Sequence, residues 1–127
     1  MTEAARIDEI APRVYRIASD VPGFSFNQYL IAAEQPLLWH TGPRALFAAT
    51  RTAIARVLDP ATLRWIGFSH LEADEMGALN PFLAIAPKAQ PLCGAIGALV
   101  SITDLADAPP RALANGEVLD IGGARLR

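Results

Sequence analysis

The sequence predicts an α/β domain: a mixed sheet with helices packed against it. Three observations carry that expectation. Strand-like segments separated by turn signals come first, at residues 10–18, 27–33 and 36–40. Short apolar strands then alternate with segments of helical period, the mark of strand–helix–strand units. Finally, 52% of the 127 residues are hydrophobic and 19% are charged, enough apolar surface for a core and too little charge for a disordered chain.

The elements follow in order. In residues 10–18, Val14, Tyr15 and Ile17 are strand formers, while Arg13 and Arg16 can reach water. Residues 20–25 hold Pro22-Gly23 and predict a turn into a second strand over 27–33. Residues 34–36 then turn into a third strand ending Leu37-Leu38-Trp39-His40, so the second and third strands predict a hairpin. Leu46, Phe47, Ile54, Val57 and Leu58 recur at helical spacing over 44–58, with Arg51 and Arg56 on the wet side, and Asp59-Pro60 ends that helix.

Residues 63–69 form an apolar strand expected to be buried on both faces. A helical turn starts at Asp74, and a second piece starts at Asn80-Pro81 with Asn80 as N-cap, ending at Ala86-Pro87. Residues 90–94 predict a strand, 95–105 a helix, 106–115 a loop around Pro109-Pro110, and 117–127 a hairpin around Gly122-Gly123. The order is β-β-β-α-β-α-β-α-β-β. Residues 1–127 are expected to form a single domain, incomplete at its C-terminal end because Arg127 falls in or at the end of a strand with no closing helix after it.

A net charge of −2 offers no basic field for nucleic acid or anionic lipid. No stretch approaches the roughly 20 apolar residues that cross a membrane. The acidic start, Met1 to Ile10, is unlike a secretory leader. One cysteine, Cys93, cannot form an intramolecular disulfide, so a cytoplasmic, reducing location is expected.

His70, Glu72 and Asp74 stand at or just after a strand's C-terminal end, where open α/β sheets bind ligands. Left extended, the three share one face. Coiled into a loop, they can fan around a metal. An imidazole with two carboxylates suits iron, manganese or zinc better than copper(I). The same spacing also describes a solvated loop with Asp74 capping a helix, and taken alone it favours that. Three groups from one segment are also fewer than the four that usually close a site.

The stretch HLEADEMGALN (70–80) resembles the His-x-Glu-x-Asp motif of the metallo-β-lactamase superfamily, in the form found in flavodiiron proteins and their stand-alone oxygen-binding di-iron relatives. PGFSFNQYLI (22–31) resembles that family's early strand. LLWHTGPR (37–44) resembles its strand ending in a Thr-Gly turn, with His40 where many members carry Asp. The resemblance implies a metallo-β-lactamase-like αββα sandwich, of which this chain is the N-terminal half. It implies that His70 and Glu72 ligate one iron and Asp74 a second. Glu75 stands where hydrolase relatives place a metal-binding His, which weakens a zinc-hydrolase reading more than a di-iron one. The family's remaining ligands come from later loops, and this chain has only two histidines, His40 and His70.

The implied function is a non-haem di-iron protein that binds or reduces dioxygen or nitric oxide with electrons from an external flavin or iron–sulfur donor, since no flavin site is visible. Two alternatives stay open: a zinc-dependent hydrolase of the same fold, and a non-catalytic metal-binding or sensory module with an incomplete site. His40 and Glu75 are candidates for orienting the ligands, although a strand-end His bonded to backbone is the plainer reading of His40. Cys93 reads as a buried structural residue, and Tyr15, Tyr29, Trp39 and Trp65 as core. Asp20, Asp104 and Asp107 read as turn and cap residues. Ser69 has no Ser-His-acid arrangement around it in the sequence, and residues 94–97 lack the spacing and Lys of a phosphate loop. An uncovered sheet face and edge predict a homo-oligomer.

Overall fold

The structure, a computed structural model, describes residues 5–21, 24–70, 72–94, 98–114 and 116–126. Seven strands pair in chain order: β1 (Arg6–Ala11), β2 (Val14–Val21), β3 (Phe24–Ile31), β4 (Leu37–Trp39), β5 (Trp65–Gly67), β6 (Gln90–Gly94) and β7 (Arg111–Leu113). The first four run antiparallel through short turns. From β4 onward the pairings are parallel, because each strand is now reached by a longer crossover that carries helix. Those helices include α1 (Phe47–Ala55), α2 (Ala73–Met76) and α3 (Leu79–Ile85). A π-helical turn, Ala98–Ile102, runs into Thr103–Leu105 before β7. A separate ribbon pairs β8 (Leu119–Asp120) with β9 (Arg125–Leu126). None of the described helices is long and apolar enough to cross a membrane.

Period-two alternation assigns the two sheet faces. Ile17, Leu30, Leu38, Ile66 and Cys93 point into the main core against Ile54, Leu79 and Phe82 of the helices. Leu37, Trp65 and Leu92 point the other way and pack on Ile121 of the β8–β9 ribbon. The short central strand β5 is buried at every residue, as its apolar run predicts. Trp65 is core, and Tyr15 and Trp39 are half-buried against the two cores. Tyr29 is half-buried but belongs to neither.

Several local expectations are corrected. Residues 10–18 are not one strand: Pro12 and Arg13 form the turn between β1 and β2, and Arg13 takes a left-handed φ of 62°. The apolar and β-branched neighbours hid that break, although a Pro inside a strand pattern signals it. The stretch 106–115 contains a strand, β7, too short for alternation to show. Asn80 does not cap α3, which begins at Leu79 after Ala78. Its amide instead donates to Leu105 O (3.0 Å) and accepts from Asp107 N–H (2.8 Å), tying the α3 start to the segment before β7. Of the expected turn over 20–25, Asp20 and Val21 belong to β2 and pair with Ser25 and Phe24 of β3, while Pro22-Gly23 and residues 95–97 of the expected helix lie outside the described residues.

Gly67 sets how closely β4 and β5 can pack. A Cβ there would run into Cε3 and Cζ3 of the Trp39 ring. Gly67→Ala is therefore expected to cost about 1–3 kcal/mol through overpacking, read by urea unfolding followed by tryptophan fluorescence; an unchanged midpoint would count against this packing. Cys93 is 5% exposed, and burial pushes its thiol pKa up. Its reaction with a disulfide reagent in the native protein should track global unfolding, since the thiolate is the nucleophile; fast labelling of the folded chain would contradict its placement.

Candidate metal centre

The site forms where the parallel strands β4 and β5 end side by side. At the end of β4, His40 N–H donates to Gly67 O (2.8 Å), and His40 takes a left-handed φ of 65°. Its ring stacks on Trp39 with centroids 5.8 Å apart. Thr41 is fully buried. Its N–H donates to Glu75 O (2.7 Å), and its Oγ1 accepts from Ala78 N–H (3.0 Å) while donating to Gly42 O (2.8 Å). The Thr-Gly turn after β4 thus grips the α2–α3 junction and sets the height of Glu75 above the sheet.

After β5 the chain passes through buried Phe68 to exposed Ser69 and His70, and Glu72 is the N-cap residue of α2. Glu75, one turn into that helix, points back at the loop. Its Oε1 accepts from Ser69 N–H (2.9 Å) and His70 N–H (2.7 Å), and lies 3.2 Å from His40 Nε2. Its Oε2 lies 3.4 Å from His70 Nδ1. The side chain is 10% exposed, against 73% for His70. Burial alone would raise the Glu75 pKa. The backbone N–H bonds from His70 and Ser69, then His40 and the His70 ring, outweigh it and hold the carboxyl below its ordinary 4.5.

Among the described residues, one group of three His, Cys, Asp or Glu side chains brings its ligand atoms within 4.8 Å of one another: His70, Glu72 and Glu75. His70 and Glu72, both expected from sequence, are together and exposed. Asp74 lies outside that group, exposed in the first turn of α2. Adjacent helical residues point about 100° apart, so once the helix starts at Ala73, Asp74 and Glu75 face different directions. Glu75 is the buried one. Its place in the motif made it a candidate for orienting the ligands; that it is buried and bonded to the loop follows from the helix starting at Ala73.

Thr41 escaped the sequence reading, because its clamp depends on α2 and α3 folding over it. Ligand atoms about one iron or zinc ion lie up to roughly 4.4 Å apart, so small shifts of the exposed His70 and Glu72 side chains would let them meet a cation, while Glu75 stays held to the loop by two backbone N–H groups. One imidazole and carboxylate oxygens fit an iron-type ion. His40 Nε2 reaches both Ser69 Oγ (3.4 Å) and Glu75 Oε1 (3.2 Å) with the same nitrogen, so the three do not form a Ser-His-acid relay.

No protein-family model matches the chain. It is 27% identical over 106 residues to the flavo-diiron protein FprA2 of Clostridium acetobutylicum, covering 82% of this chain and 26% of that one. It is 28% identical over 102 residues to the rubredoxin-oxygen oxidoreductase of Megalodesulfovibrio gigas, covering 79% and 25%. The chain thus spans about a quarter of the length of these relatives. In fold it is similar to the metal-soaked Flv1 flavodiiron core of Synechocystis sp. PCC6803, with a TM-score of 0.81 and 20% identity over 97% of this chain and 35% of that one. It is equally similar to the metallo-β-lactamase SMB-1, with a TM-score of 0.81 and 15% identity over 98% and 52%.

Glu75→Ala would strand the Ser69 and His70 N–H groups and is expected to cost about 1–3 kcal/mol. Because the folded pKa is depressed, the Glu75 charge stabilises fully above about 4.5, and that stability drains away as pH falls through the lower folded value. Thermal melts across that acid window should therefore fall more steeply for the wild type than for Glu75→Ala. Parallel curves would refute the role of the charge.

Proposed function

We propose, for a chain whose homologues are flavodiiron proteins and whose mixed sheet has the metallo-β-lactamase-like fold of that branch, that His70 and Glu72 ligate iron in a non-haem centre that binds or reduces dioxygen or nitric oxide. Asp74, just beyond them on α2, is proposed as ligand to a second iron. The observation that carries the reading is the meeting of His70 and Glu72 beyond the ends of two parallel strands, with Glu75 buried against His70. Bound there, iron would supply the redox chemistry toward a diatomic ligand.

The chain's own residues supply positioning. Thr41 holds the base of α2, Glu75 holds the loop that carries His70, and the rigid ends of β4 and β5 hold both. Further ligands and the electrons must come from elsewhere. Relatives named for rubredoxin and for flavin support an iron–sulfur or flavin donor. The zinc-hydrolase alternative is less well supported, because Glu75 stands at the hydrolase His position and its Oε1 is already bonded to two backbone N–H groups. A reducing, cytoplasmic location and self-association through the exposed edge strand β1 are part of the same proposal, the second checked by sedimentation over a concentration series, with a single monomeric species at every concentration counting against it.

Anaerobic titration with Fe(II) is the test. His70→Ala and Glu72→Ala should each weaken binding at least about tenfold, and Asp74→Asn should lower the stoichiometry at the second position. Fe(II) affinity that neither His70→Ala nor Glu72→Ala changes would remove the proposal.

A further inference from the structure

We infer that Glu75 is a positioning residue that selects the Nδ1–H tautomer of His70 and so leaves Nε2 as the metal-binding nitrogen. The inference rests on the proposed role of His70 as an iron ligand, but it concerns a property of the metal-free chain. A carboxylate only accepts hydrogen bonds. The nitrogen facing Glu75 Oε2 at 3.4 Å is Nδ1, so a neutral ring lowers its energy by placing its proton there. The alternative sets the Nδ1 lone pair against a negative oxygen. The two ring nitrogens lie on opposite edges of the imidazole, and the ring is 73% exposed while Glu75 is 10% exposed. The buried acid therefore addresses one edge and leaves the other for a ligand. Histidines that bind metals commonly hand their second nitrogen's proton to a carboxylate, which fixes the ring and raises its basicity.

The carboxylate cannot slide or flip away from this task. Its Oε1 is held by two successive backbone donors, Ser69 N–H at 2.9 Å and His70 N–H at 2.7 Å, with His40 Nε2 at 3.2 Å on the same oxygen. The oxygen left for the ring is therefore Oε2. This explains why a glutamate serves at position 75 and a glutamine would not. Both backbone N–H groups demand an oxygen at the Oε1 place. In Glu75→Gln the amide must put its oxygen there and its NH2 group against His70 Nδ1. An NH2 group donates, so Nδ1 would become an acceptor and the proton would move to Nε2, blocking the nitrogen that should meet the metal. The fold is kept and the tautomer inverted.

The test uses the metal-free, 15N-labelled chain at about pH 8, above the ordinary histidine pKa of about 6.5. Long-range imidazole 1H–15N correlation distinguishes a protonated Nδ1 from a protonated Nε2, and His70→Ala assigns the signals of two rings, His40 and His70. The expected result is an Nδ1–H ring for His70 in the wild type and an Nε2–H ring in Glu75→Gln, with Ser69 and His70 amides still protected from exchange in both. Fe(II) should then bind Glu75→Gln about 10–100-fold more weakly. An Nε2–H ring for His70 in the wild type overturns the inference. So does an unchanged tautomer in a folded Glu75→Gln. A wild-type chain that shows the Nδ1–H ring and takes up no Fe(II) would sink the iron proposal of the preceding section while supporting the tautomer assignment, so the two failures are distinguishable.

Discussion

The site depends on one buried carboxylate. Glu75 Oε1 accepts the N–H groups of Ser69 and His70 together, and that paired bond fastens the loop leaving β5 to the helix that follows it. Two backbone donors are satisfied at once, and a charge that burial disfavours is kept ionised by them. The path of the loop that carries His70 is set by this paired bond.

That carboxylate is itself placed by the neighbouring strand. Thr41 N–H bonds the carbonyl of Glu75, and Thr41 Oγ1 bonds the N–H of Ala78 three residues on. Gly42 (φ 75°) adds its carbonyl to Ala78 N–H at 3.2 Å and leaves room for the Gln28 amide, which a Cβ would approach at 3.0 Å. Under the loop, Trp39 lies across Gly67, and the missing side chain of Gly67 is what lets the ring lie there. His70 and Glu72 are exposed, and Thr41 and Glu75 beneath them are buried, which is how a rigid scaffold presents groups to a ligand.

The two sheet faces divide the labour. One is sealed by α1 and α3 through Ile54, Leu79 and Phe82. The other is covered by the small β8–β9 ribbon through Ile121. The ribbon's approach is close: a Cβ on Gly122 would meet Glu34 Cβ at 2.5 Å, and Glu34 N–H donates to Gly122 O at 3.0 Å. The glycine pair serves both as the tip of a turn, with φ values of 82° and 92°, and as the seat of the loop between β3 and β4.

Local pattern alone determined much of this protein. Alternation and turn residues placed β2 through β6, helical spacing placed α1, and the apolar run 65–67 foretold a strand buried on both sides. The pairing of His70 with Glu72 at a strand end was legible too, because both residues sit in one short segment and need no distant partner to be seen. What only the tertiary structure decided lay wherever a residue's role depends on something far off in the chain. Asn80 has the chemistry of a cap, but Leu105 and Asp107 arrive within its reach and compete for its amide. Arg111–Leu113 becomes a strand because β6 offers it an edge. Asp74 and Glu75 are adjacent carboxylates that sequence can rank only by motif. The helix begins at Ala73, the rotation per residue turns one toward the end of β5 and the other toward water, and burial with two backbone donors makes Glu75 the group on which the site is built.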